Sequence, residues 1–546
     1  MRTSIRVAGL AVGALALLLT VTPAASAHDP DSVAGKEDLR RHQSDHQPAW
    51  RYAPVTGTAV PCVNGRAGSY PCSNVDLLSA LPLSSIGGGN GNSMWGWTDT
   101  STNKEYILVG RSNGTAFVDV TDAVNPKYLG NLPSYNGTSS SWRDIKVYAN
   151  HAYVGADSIS THGMQVFDLT RLRTVTTPQT FTEDAHYTGF GNSHTLSVNE
   201  ETGFIYAVGS NTCSGGVHMV NVQNPKQPTN AGCVSNDGYV HENQCVVYHG
   251  ADAAYVNHEI CFNYNEDTLT IVDVTNKSAP KQLSRTGYTN ARYTHQGWLT
   301  ADHRMLVMDD ELDNDGRTLI WDVADLDAPR WTGTYTPNAS SMGAAIDHNQ
   351  YIHNGYVYQA NYRAGLHILD ARNIASNSLT EVGYFDIYPA DNAGNFNGAW
   401  NVYPFLKSGI VAINGIEQGL VLVKPNLGGV PPTGGYFENT ADVAITDNAT
   451  VTSSITVTGQ TATPGTLKVG VDIKHTYRGD LVISLIAPDG TVYLLEDFPN
   501  SDSADNVLKT YTVNASSEAP NGVWKLQVKD VASQDVGKID AWNLQF

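Results

Sequence analysis

The sequence predicts an all-β protein, a seven-bladed β-propeller followed by a jelly-roll β-sandwich. A strand-like signature recurs seven times at a period of about fifty residues, which is typical of propeller blades of four strands. Runs of alternating β-branched and aromatic residues dominate, and they lack helical periodicity. After residue 425 the repeats stop, and a Gly- and Pro-rich stretch leads into a second strand-rich region.

The repeat signature occupies the third predicted strand of each unit. Its copies read FVDVT, VFDLT, MVNVQ, IVDVT, IWDVA, ILDAR and VLVKP, and their third residues are Asp119, Asp168, Asn221, Asp273, Asp322, Asp370 and Val423. Two alternating runs precede each copy and another short run often follows, so each unit has about four strands. A β-solenoid would need shorter repeats and a helical solenoid would need helical periodicity, so the propeller is the better prediction.

The repeats also set the predicted domain boundaries. We expect an N-terminal extension over residues 28–90, a propeller over 91–425, a linker over 426–435 and a β-sandwich over 436–546. The linker prediction depends on LGGVPPTGG at 427–435, because this composition is typical of interdomain segments. The sandwich prediction depends on alternating runs that are separated by turn signals.

The first 27 residues have the pattern of a secretory signal peptide. Arg2 and Arg6 are followed by an apolar run over residues 7–21 and by the small-residue site Ala25-Ser26-Ala27. The alternative, a retained membrane anchor, fits less well because the run is short and a polar stretch follows it. We therefore expect a secreted, extracellular protein without a membrane span after cleavage.

The charge balance limits the partners. Fifty-three acidic against 33 basic residues give a net charge of −20, which argues against nucleic acid and against an anionic membrane surface. The expected partner is an unidentified extracellular ligand or protein.

Six cysteines in an exported chain favour disulfide bonds. Cys62 and Cys72 bracket a loop with little apolar content and form the simplest pair. Two further bridges are expected among Cys213, Cys233, Cys245 and Cys261, whose connectivity the sequence leaves open. A zinc site is the alternative, but no CxxC spacing occurs.

Long strings of the repeat region resemble the LVIVD-repeat proteins of the choice-of-anchor B family. They are WGWTD at 95–99, GCVSNDGYVHENQCVVYHG at 232–250, YTHQGWLT at 293–300, DDELD at 309–313, IDHNQYI at 346–352 and NYRAGLHILD at 361–370. The C-terminal region resembles the P/Homo B domain of subtilisin-like proprotein convertases. HTYRGDLVISLIAPDGT at 475–491, NGVWKLQVKD at 521–530 and DAWNLQF at 540–546 carry that resemblance.

The P-domain resemblance implies serine endopeptidase activity, which requires a catalytic triad. Neither a GTSxA-like loop nor a GxSxG elbow occurs. Thr161-His162-Gly163 has the letters of the subtilisin histidine motif, but it lies in a loop before a repeat strand. An accessory domain without its enzyme is the favoured interpretation.

Titratable residues recur at the hairpin edges that a propeller turns toward its channel. The channel candidates are His194, His241, Glu242, His258, Glu259, His295, Asp309, Glu311, His348 and Arg363. Imidazoles and carboxylates from neighbouring blades can bind a divalent cation, either calcium or a transition metal. The alternative is a channel of hydrogen-bonded side chains with a structural role only. The string His241-Glu242-Asn243-Gln244-Cys245 starts like HExxH, but it lies on a predicted strand and ends in cysteine.

A second possible calcium site is the acidic turn ELDNDG, with Asp313 and Asp315 as ligands. The glutamate that completes an EF-hand is missing, so an ordinary Asx turn fits equally well. In the C-terminal region, Asp480, Asp489 and Asp497 near strand ends are weaker candidates.

These patterns favour an exported, non-enzymatic binding or surface-interaction protein, because they specify a scaffold and no catalytic constellation. Two alternatives stay open. One is a metal-dependent hydrolase that acts in the propeller channel, and the other is a secreted factor associated with serine-type proteolysis through its P domain.

Overall fold

A computed structural model describes residues 53–311, 316–427, 436–439, 441–457, 460, 465–499 and 501–546. The predicted signal peptide, the calcium turn at Asp313 and Asp315, and residues 428–435 of the predicted linker lie outside the described residues. Within them the chain forms β-strands in nine sheets, and the helical segments are short 3-10 turns. These turns span Leu83–Ile86, Tyr135–Gly137, Leu169–Thr174, Cys213–Gly215, Ile374–Ser376 and Arg478–Asp480.

Seven sheets contain the strands before residue 426. The first three strands are β1 (Arg66–Ala67), β2 (Tyr70–Ser73) and β3 (Val75–Leu81). Sheet one has β4 (Gly91–Asp99), β5 (Lys104–Arg111), β6 (Gly114–Asp119) and β7 (Lys127–Pro133). Sheet two has β8 (Arg143–Tyr148), β9 (His151–Ala156) and β10 (Met164–Asp168); β11 (Gln179–Thr180) then pairs with β7, and β12 (Ala185–Tyr187) pairs with β10. Sheet three has β13 (Thr195–Asn199), β14 (Phe204–Val208), β15 (Val217–Asn221) and β16 (Thr229–Val234).

Sheets four to seven repeat this arrangement. Sheet four has β17 (Glu242–Val247), β18 (Glu259–Tyr264), β19 (Thr268–Asp273) and β20 (Lys281–Gly287). Sheet five has β21 (Thr294–Leu299), β22 (Met305–Asp310), β23 (Thr318–Asp322) and β24 (Arg330–Tyr335). Sheet six has β25 (Gln350–His353), β26 (Tyr356–Ala360), β27 (Leu366–Asn373) and β28 (Ser378–Phe385), and β2 and β1 extend it. Sheet seven has β29 (Ala399–Tyr403), β30 (Val411–Gly415) and β31 (Gly419–Pro425), with β3 as its fourth strand.

The first strands of these sheets contact one another in chain order. β4 contacts β8, and the series continues through β13, β17, β21, β25 and β29, which contacts β4 again. Close approach between sheets requires small residues. At Gly96 in β4, for example, an added Cβ would lie 2.1 Å from the Tyr403 ring of β29. The inner ends of seven separate sheets are thereby brought near one another.

The repeat signature has a local structural role. In six of its seven copies, the side chain of the third residue accepts a hydrogen bond from the backbone N–H two residues later, as Asp119 does from Thr121 and Asp273 from Thr275. In five of these six copies the Asx turn ends the third strand and starts the loop to the fourth, whereas after Asp370 the strand β27 continues to Asn373. Val423, the third residue of the seventh copy, has no side-chain oxygen and cannot accept this hydrogen bond, so the seventh copy lacks the Asx turn.

Two sheets contain the strands after residue 435. Their strands are β32 (Tyr436–Asn439), β33 (Val443–Ile445), β34 (Thr450–Val457), β35 (Leu467–His475), β36 (Leu481–Ile486), β37 (Val492–Asp497), β38 (Val507–Val513), β39 (Gly522–Asp530) and β40 (Gly537–Gln545). One sheet has the order β32-β40-β35-β38 with β33 beside β40, and the other has the order β34-β39-β36-β37. Alternating residues of both sheets, Trp524 and Trp542 among them, form one buried core.

The all-β prediction is confirmed, and so is the prediction that the cysteines form disulfides. Bridges join Cys62 to Cys72, Cys213 to Cys233 and Cys245 to Cys261. In the part of the chain that the structure describes, no helix has the length and apolarity needed to cross a membrane.

The pairing of β3 with β31 joins the beginning of the repeat region to its end, and it gives a stability prediction. Leu77 of β3 lies opposite Val423 of β31, and both are buried. Leu77→Ala should lower the free energy of unfolding by about 2–5 kcal/mol, the usual cost of removing a buried leucine side chain. Guanidinium denaturation checks this, with the exposed Ser85→Ala as control. Equal unfolding midpoints for the wild type and both variants would show that the pairing of β3 with β31 does not contribute to cooperative folding.

Candidate functional site

Six aromatic rings, each from the start of a first strand or just before it, lie in one arc. In chain order they belong to Trp142, His194, His241, His295, His348 and Trp400, from sheets two to seven. Successive ring centroids are 6.3, 4.1, 4.6, 4.4 and 5.2 Å apart. All six side chains are buried. We call this row of rings the ring arc.

The strand register explains why these side chains meet. His194 and His241 each extend a first strand by one residue, because their N–H groups donate to the carbonyls of Val208 and Tyr264 on the second strands. Each side chain therefore projects from the inner end of its sheet, where the first strands of neighbouring sheets are in contact.

Each imidazole of the ring arc is held through its Nδ1 atom by a different group. His194 Nδ1 lies 2.9 Å from Asp157, and His241 Nδ1 lies 2.8 Å from the Tyr293 hydroxyl. His295 Nδ1 lies 2.9 Å from Asp309, and His348 Nδ1 lies 2.6 Å from the carbonyl oxygen of Trp400. A carbonyl can only accept, so the Nδ1 atom of His348 carries a proton and donates it to this bond. Such contacts fix the orientation of metal-binding histidines.

Glu311, which directly follows β22, faces the Nε2 atoms of two of these rings. One of its carboxylate oxygens lies 3.9 Å from His295 Nε2, and the other lies 3.7 Å from His348 Nε2. The Tyr362 hydroxyl donates to the second oxygen at 2.8 Å. Ligand atoms of His241, His295 and Glu311 all lie within 4.8 Å of one another. Two imidazole nitrogens and a carboxylate oxygen suit a transition-metal cation.

The surroundings of the ring arc carry an excess of buried acidic groups. Asp144, Asp157, Asp309 and Glu311 are all buried, and Lys146 forms an ion pair with Asp144 at 2.7 Å. Burial, and then the charge of Glu311, raises the pKa of Asp309 well above its ordinary value. Carboxylates held in a low-dielectric site repel one another, so a bound cation would stabilise this arrangement.

A small cavity of about 20 Å³ lies against the ring arc, which is room for roughly one water molecule. Its lining residues include Trp142, His194, Glu242, His295, His348 and Trp400. Burial raises the pKa of Glu242 to about 8.

Three of the predicted channel residues lie elsewhere. His258 is 40 % exposed and pairs with Asp273 at 2.8 Å, and Glu259 pairs with Lys277 at 2.6 Å. Arg363 pairs with Asp391 and stacks over the Tyr388 ring.

The expectation that His258 and Glu259 approach His241 is wrong, because of the strand register. Glu242, next to His241, lies opposite Tyr264 at the end of β18, whereas Glu259 lies opposite Val247 at the far end of the hairpin. His258 therefore lies at the opposite end of the β17–β18 hairpin from His241. The same register does bring His295 to Asp309, because Thr294 pairs with Asp310.

Sequence reasoning missed the two tryptophans and Tyr293. The prediction at the hairpin edges rests on polar and titratable residues, whereas Trp142 and Trp400 occupy the positions that histidines hold in sheets three to six. Applying the repeat alignment to all residue types would have found both.

A second acidic group consists of Asp252, Asp325 and Asp327. Asp252 accepts hydrogen bonds from the backbone N–H groups of Ala254 and Leu326, and Asp325 accepts from Asp327 and Ala328. The bonds from Ala254 to Asp252 and from Asp327 to Asp325 are those of Asx turns, and the bond from Leu326 to Asp252 links the two loops, so the group has an evident structural role.

Comparison with known proteins identifies the C-terminal region. Residues 464–546 match the proprotein convertase P-domain. The chain is 60 % identical over 120 residues to a leupeptin-inactivating enzyme 1 of Streptomyces exfoliatus, which is 21 % of this chain and 27 % of that protein. It is 54 % identical over 114 residues to a transglutaminase-activating metalloprotease of Streptomyces mobaraensis, covering 21 % and 15 %. It is 29 % identical over 187 residues to an extracellular basic protease of Dichelobacter nodosus, covering 33 % and 30 %.

These comparisons overturn one expectation. The prediction of a non-enzymatic binding protein is wrong, because the curated relatives include named proteases, one of them a metalloprotease. The chain spans less than a third of the length of each of these three relatives, so the activity of the whole protein is a matter for proposal.

The raised pKa of Glu242 predicts how the stability of the metal-free protein, kept in a chelator, depends on pH. The folded protein keeps a proton on Glu242 that the unfolded chain releases above its ordinary pKa of 4.5. The resulting stabilisation is complete below pH 4.5 and is lost as the pH rises to about 8. Glu242→Gln, which cannot ionise, should therefore gain stability relative to the wild type between pH 5 and pH 8. Denaturant unfolding across this range checks the prediction, with Glu496→Gln as control. Parallel wild-type and Glu242→Gln profiles would contradict it.

Proposed function

We propose that this chain is a secreted, metal-dependent peptide hydrolase whose cation is bound by His241, His295 and Glu311. The observation that carries the proposal is the convergence of these ligand atoms within 4.8 Å among buried carboxylates. His348 and His194 are the next nearest imidazoles in the ring arc, and they are placed to complete the coordination or to face a bound ligand.

The scaffold of the proposal is a seven-bladed propeller of the LVIVD-repeat type over residues 91–425. The cyclic contacts of the first strands support it, and so does the repeat signature. Pairing of β3 with β31 gives the seventh sheet a strand from the other end of the repeat region, a common way to close a circular array. We assign residues 1–27 to a signal peptide, 28–90 to an extension, 426–435 to a linker and 436–546 to the P domain.

The ligand set favours a transition metal such as zinc over calcium. Imidazole nitrogens dominate the ring arc, whereas calcium prefers a shell of oxygen ligands. When bound, such a cation polarises a carbonyl group and lowers the pKa of a bound water. The chain's own residues then have defined roles: Tyr293 and Asp309 orient the imidazoles of His241 and His295, and Tyr362 orients Glu311.

Peptides are the proposed substrate class because of the C-terminal domain. Relatives that share sequence with this chain are named as proteases, one of them as extracellular, and residues 464–546 match a domain named for the proprotein convertases. Secretion is also supported by the residue pattern of the first 27 positions.

The proposal predicts that peptide hydrolysis and bound metal are lost together. Protein purified without a His-tag should contain about one transition-metal ion per chain by elemental analysis, and chelator should abolish hydrolysis of a peptide library. His241→Ala and Glu311→Gln should reduce activity by about 100-fold or more, since even indirect contacts to a metal contribute 10- to 100-fold. His258→Ala, at the opposite end of the β17–β18 hairpin, is the matched control and should keep both metal and activity.

The outcomes separate the alternatives. Chelator-resistant hydrolysis, or a metal-free wild type after zinc loading, would overturn the proposal. Metal that binds without any hydrolysis would instead favour the second candidate, a secreted factor that acts with proteases through its P domain, which the match over residues 464–546 supports.

A further inference from the structure

A pocket of about 400 Å³ lies between sheets two and three, and none of its lining residues belongs to the ring arc. Its walls come from three segments. They are the loop between β9 and β10, the end of β12 with the residues that lead to β13, and the loop between β14 and β15. Sites for small organic molecules usually have volumes of some 300–1,000 Å³, so this pocket has the size of a ligand site.

The three walls are joined to one another by backbone contacts. The N–H of Gly163 donates to the carbonyl oxygen of Gly191 at 2.8 Å, and the N–H of Gly191 donates to Asn211 Oδ1 at 2.8 Å. The disulfide between Cys213 and Cys233 ties the third wall to β16 of sheet three. The pocket is therefore held in shape by the protein itself, as ligand pockets usually are.

The described residues that line the pocket are polar but carry no permanent charge. Lys, Arg, Asp and Glu are absent from the lining, and His186 is its one titratable side chain. The hydroxyl groups of Ser160, Thr161 and Thr188 form no hydrogen bond with another described residue, and all three residues are exposed. Asn211 uses its Oδ1 atom within the wall, and its Nδ2 group has no partner among the described residues. Hydroxyl groups both donate and accept, and the Nδ2 group donates.

Two aromatic side chains complete the lining. The His186 ring stacks on the Tyr135 ring with centroids 4.0 Å apart, and its Nδ1 atom lies 3.2 Å from Glu183, so its orientation is fixed. Phe190 is 3 % exposed and supplies an apolar part of the lining. The pocket thus combines neutral hydrogen-bonding groups with a small apolar surface.

We propose that this pocket binds a neutral saccharide, whose hydroxyl groups form hydrogen bonds with Thr161, Thr188 and the Nδ2 group of Asn211. A sugar is uncharged and presents many groups that both donate and accept, which matches the lining. The charged ends of a short peptide would find no oppositely charged side chain there, and a buried charge without a partner is costly. The inference goes beyond the proposed hydrolase and does not depend on the cation site.

Saturation-transfer difference NMR on the full chain tests the proposal. Maltose, cellobiose and N,N′-diacetylchitobiose are the neutral probes, glucuronate is the anionic comparison, and glycylglycine is the peptide comparison. The protein is kept in a chelator, so that no probe binds through a metal ion. Wild type should bind at least one of the three disaccharides and should bind neither glucuronate nor glycylglycine.

Variants of the lining locate the binding site. Thr188→Val and Asn211→Asp each remove one hydrogen-bonding group, and each should weaken disaccharide binding about three- to tenfold, the usual effect of one lost hydrogen bond. Asn211→Asp keeps the oxygen that accepts from Gly191. Thr161→Trp fills the pocket and should abolish binding. Thr182→Trp, at an exposed position between β11 and β12 outside the lining, is the matched control and should keep the wild-type affinity.

Each result supports or overturns the proposal. Disaccharide binding that is lost in Thr161→Trp and kept in Thr182→Trp would support it. Failure of all three disaccharides to bind, or equal binding to wild type and Thr161→Trp, would overturn it, and binding of glycylglycine alone would overturn the ligand class. If Thr161→Trp fails to fold by circular dichroism, Ser160→Trp replaces it.

A longer form of the sugar identifies its source. The hexasaccharide of the probe that binds is compared with the disaccharide on wild type. Tighter binding of the hexasaccharide would assign the pocket to a polysaccharide, and equal or weaker binding would assign it to a free sugar.

Discussion

Contact between the first strands of the seven N-terminal sheets is the constraint on which the candidate site depends. Because each first strand touches the next and the seventh touches the first, the residues at the inner strand ends must share one small region. His194 and His348 are far apart in sequence, yet only two intervening rings separate them in space. A repeat position, and not a local motif, creates the site.

The chemistry of that region follows from what the repeat places there. The first residues of packed strands are usually apolar, such as Val or Ile. Four of the seven first strands have histidine at or beside this position instead, and burying a polar imidazole ring costs free energy. The cost is offset because every Nδ1 atom has a hydrogen-bonding or ionic contact, from Asp157, Tyr293, Asp309 or the Trp400 carbonyl. Burial raises the pKa of Asp309 and of Glu242, and the charge of Glu311 raises the pKa of Asp309 further, so a cation beside these carboxyl groups would favour their charged forms.

Much of this was predictable from the sequence, and the failures have physical causes. The Asp residues of the repeat signature form Asx turns at a fixed place in each sheet, so their period indicates the order of the strands. The same period correctly predicts that His194, His241, His295 and His348 lie at or beside the start of a first strand. The prediction for His258 and Glu259 is wrong because it puts them at the end of the second strand of sheet four. They lie at the start of that strand, where Glu259 is opposite Val247 of β17. The prediction missed the tryptophans because it rests on polar and titratable residues, and an indole was not expected to share their position. The grouping of His241, His295 and Glu311 could not be read from the sequence, because ligand atoms that come from separate repeats have no compact spacing.

The most direct test is a crystal structure of the full chain grown with Zn²⁺, with anomalous diffraction collected at the zinc edge. The account predicts one dominant anomalous peak at about 2.0–2.2 Å from an imidazole nitrogen of His241, an imidazole nitrogen of His295 and a carboxylate oxygen of Glu311. A ring arc without a peak, with zinc bound only at Asp252, Asp325 and Asp327, would contradict it.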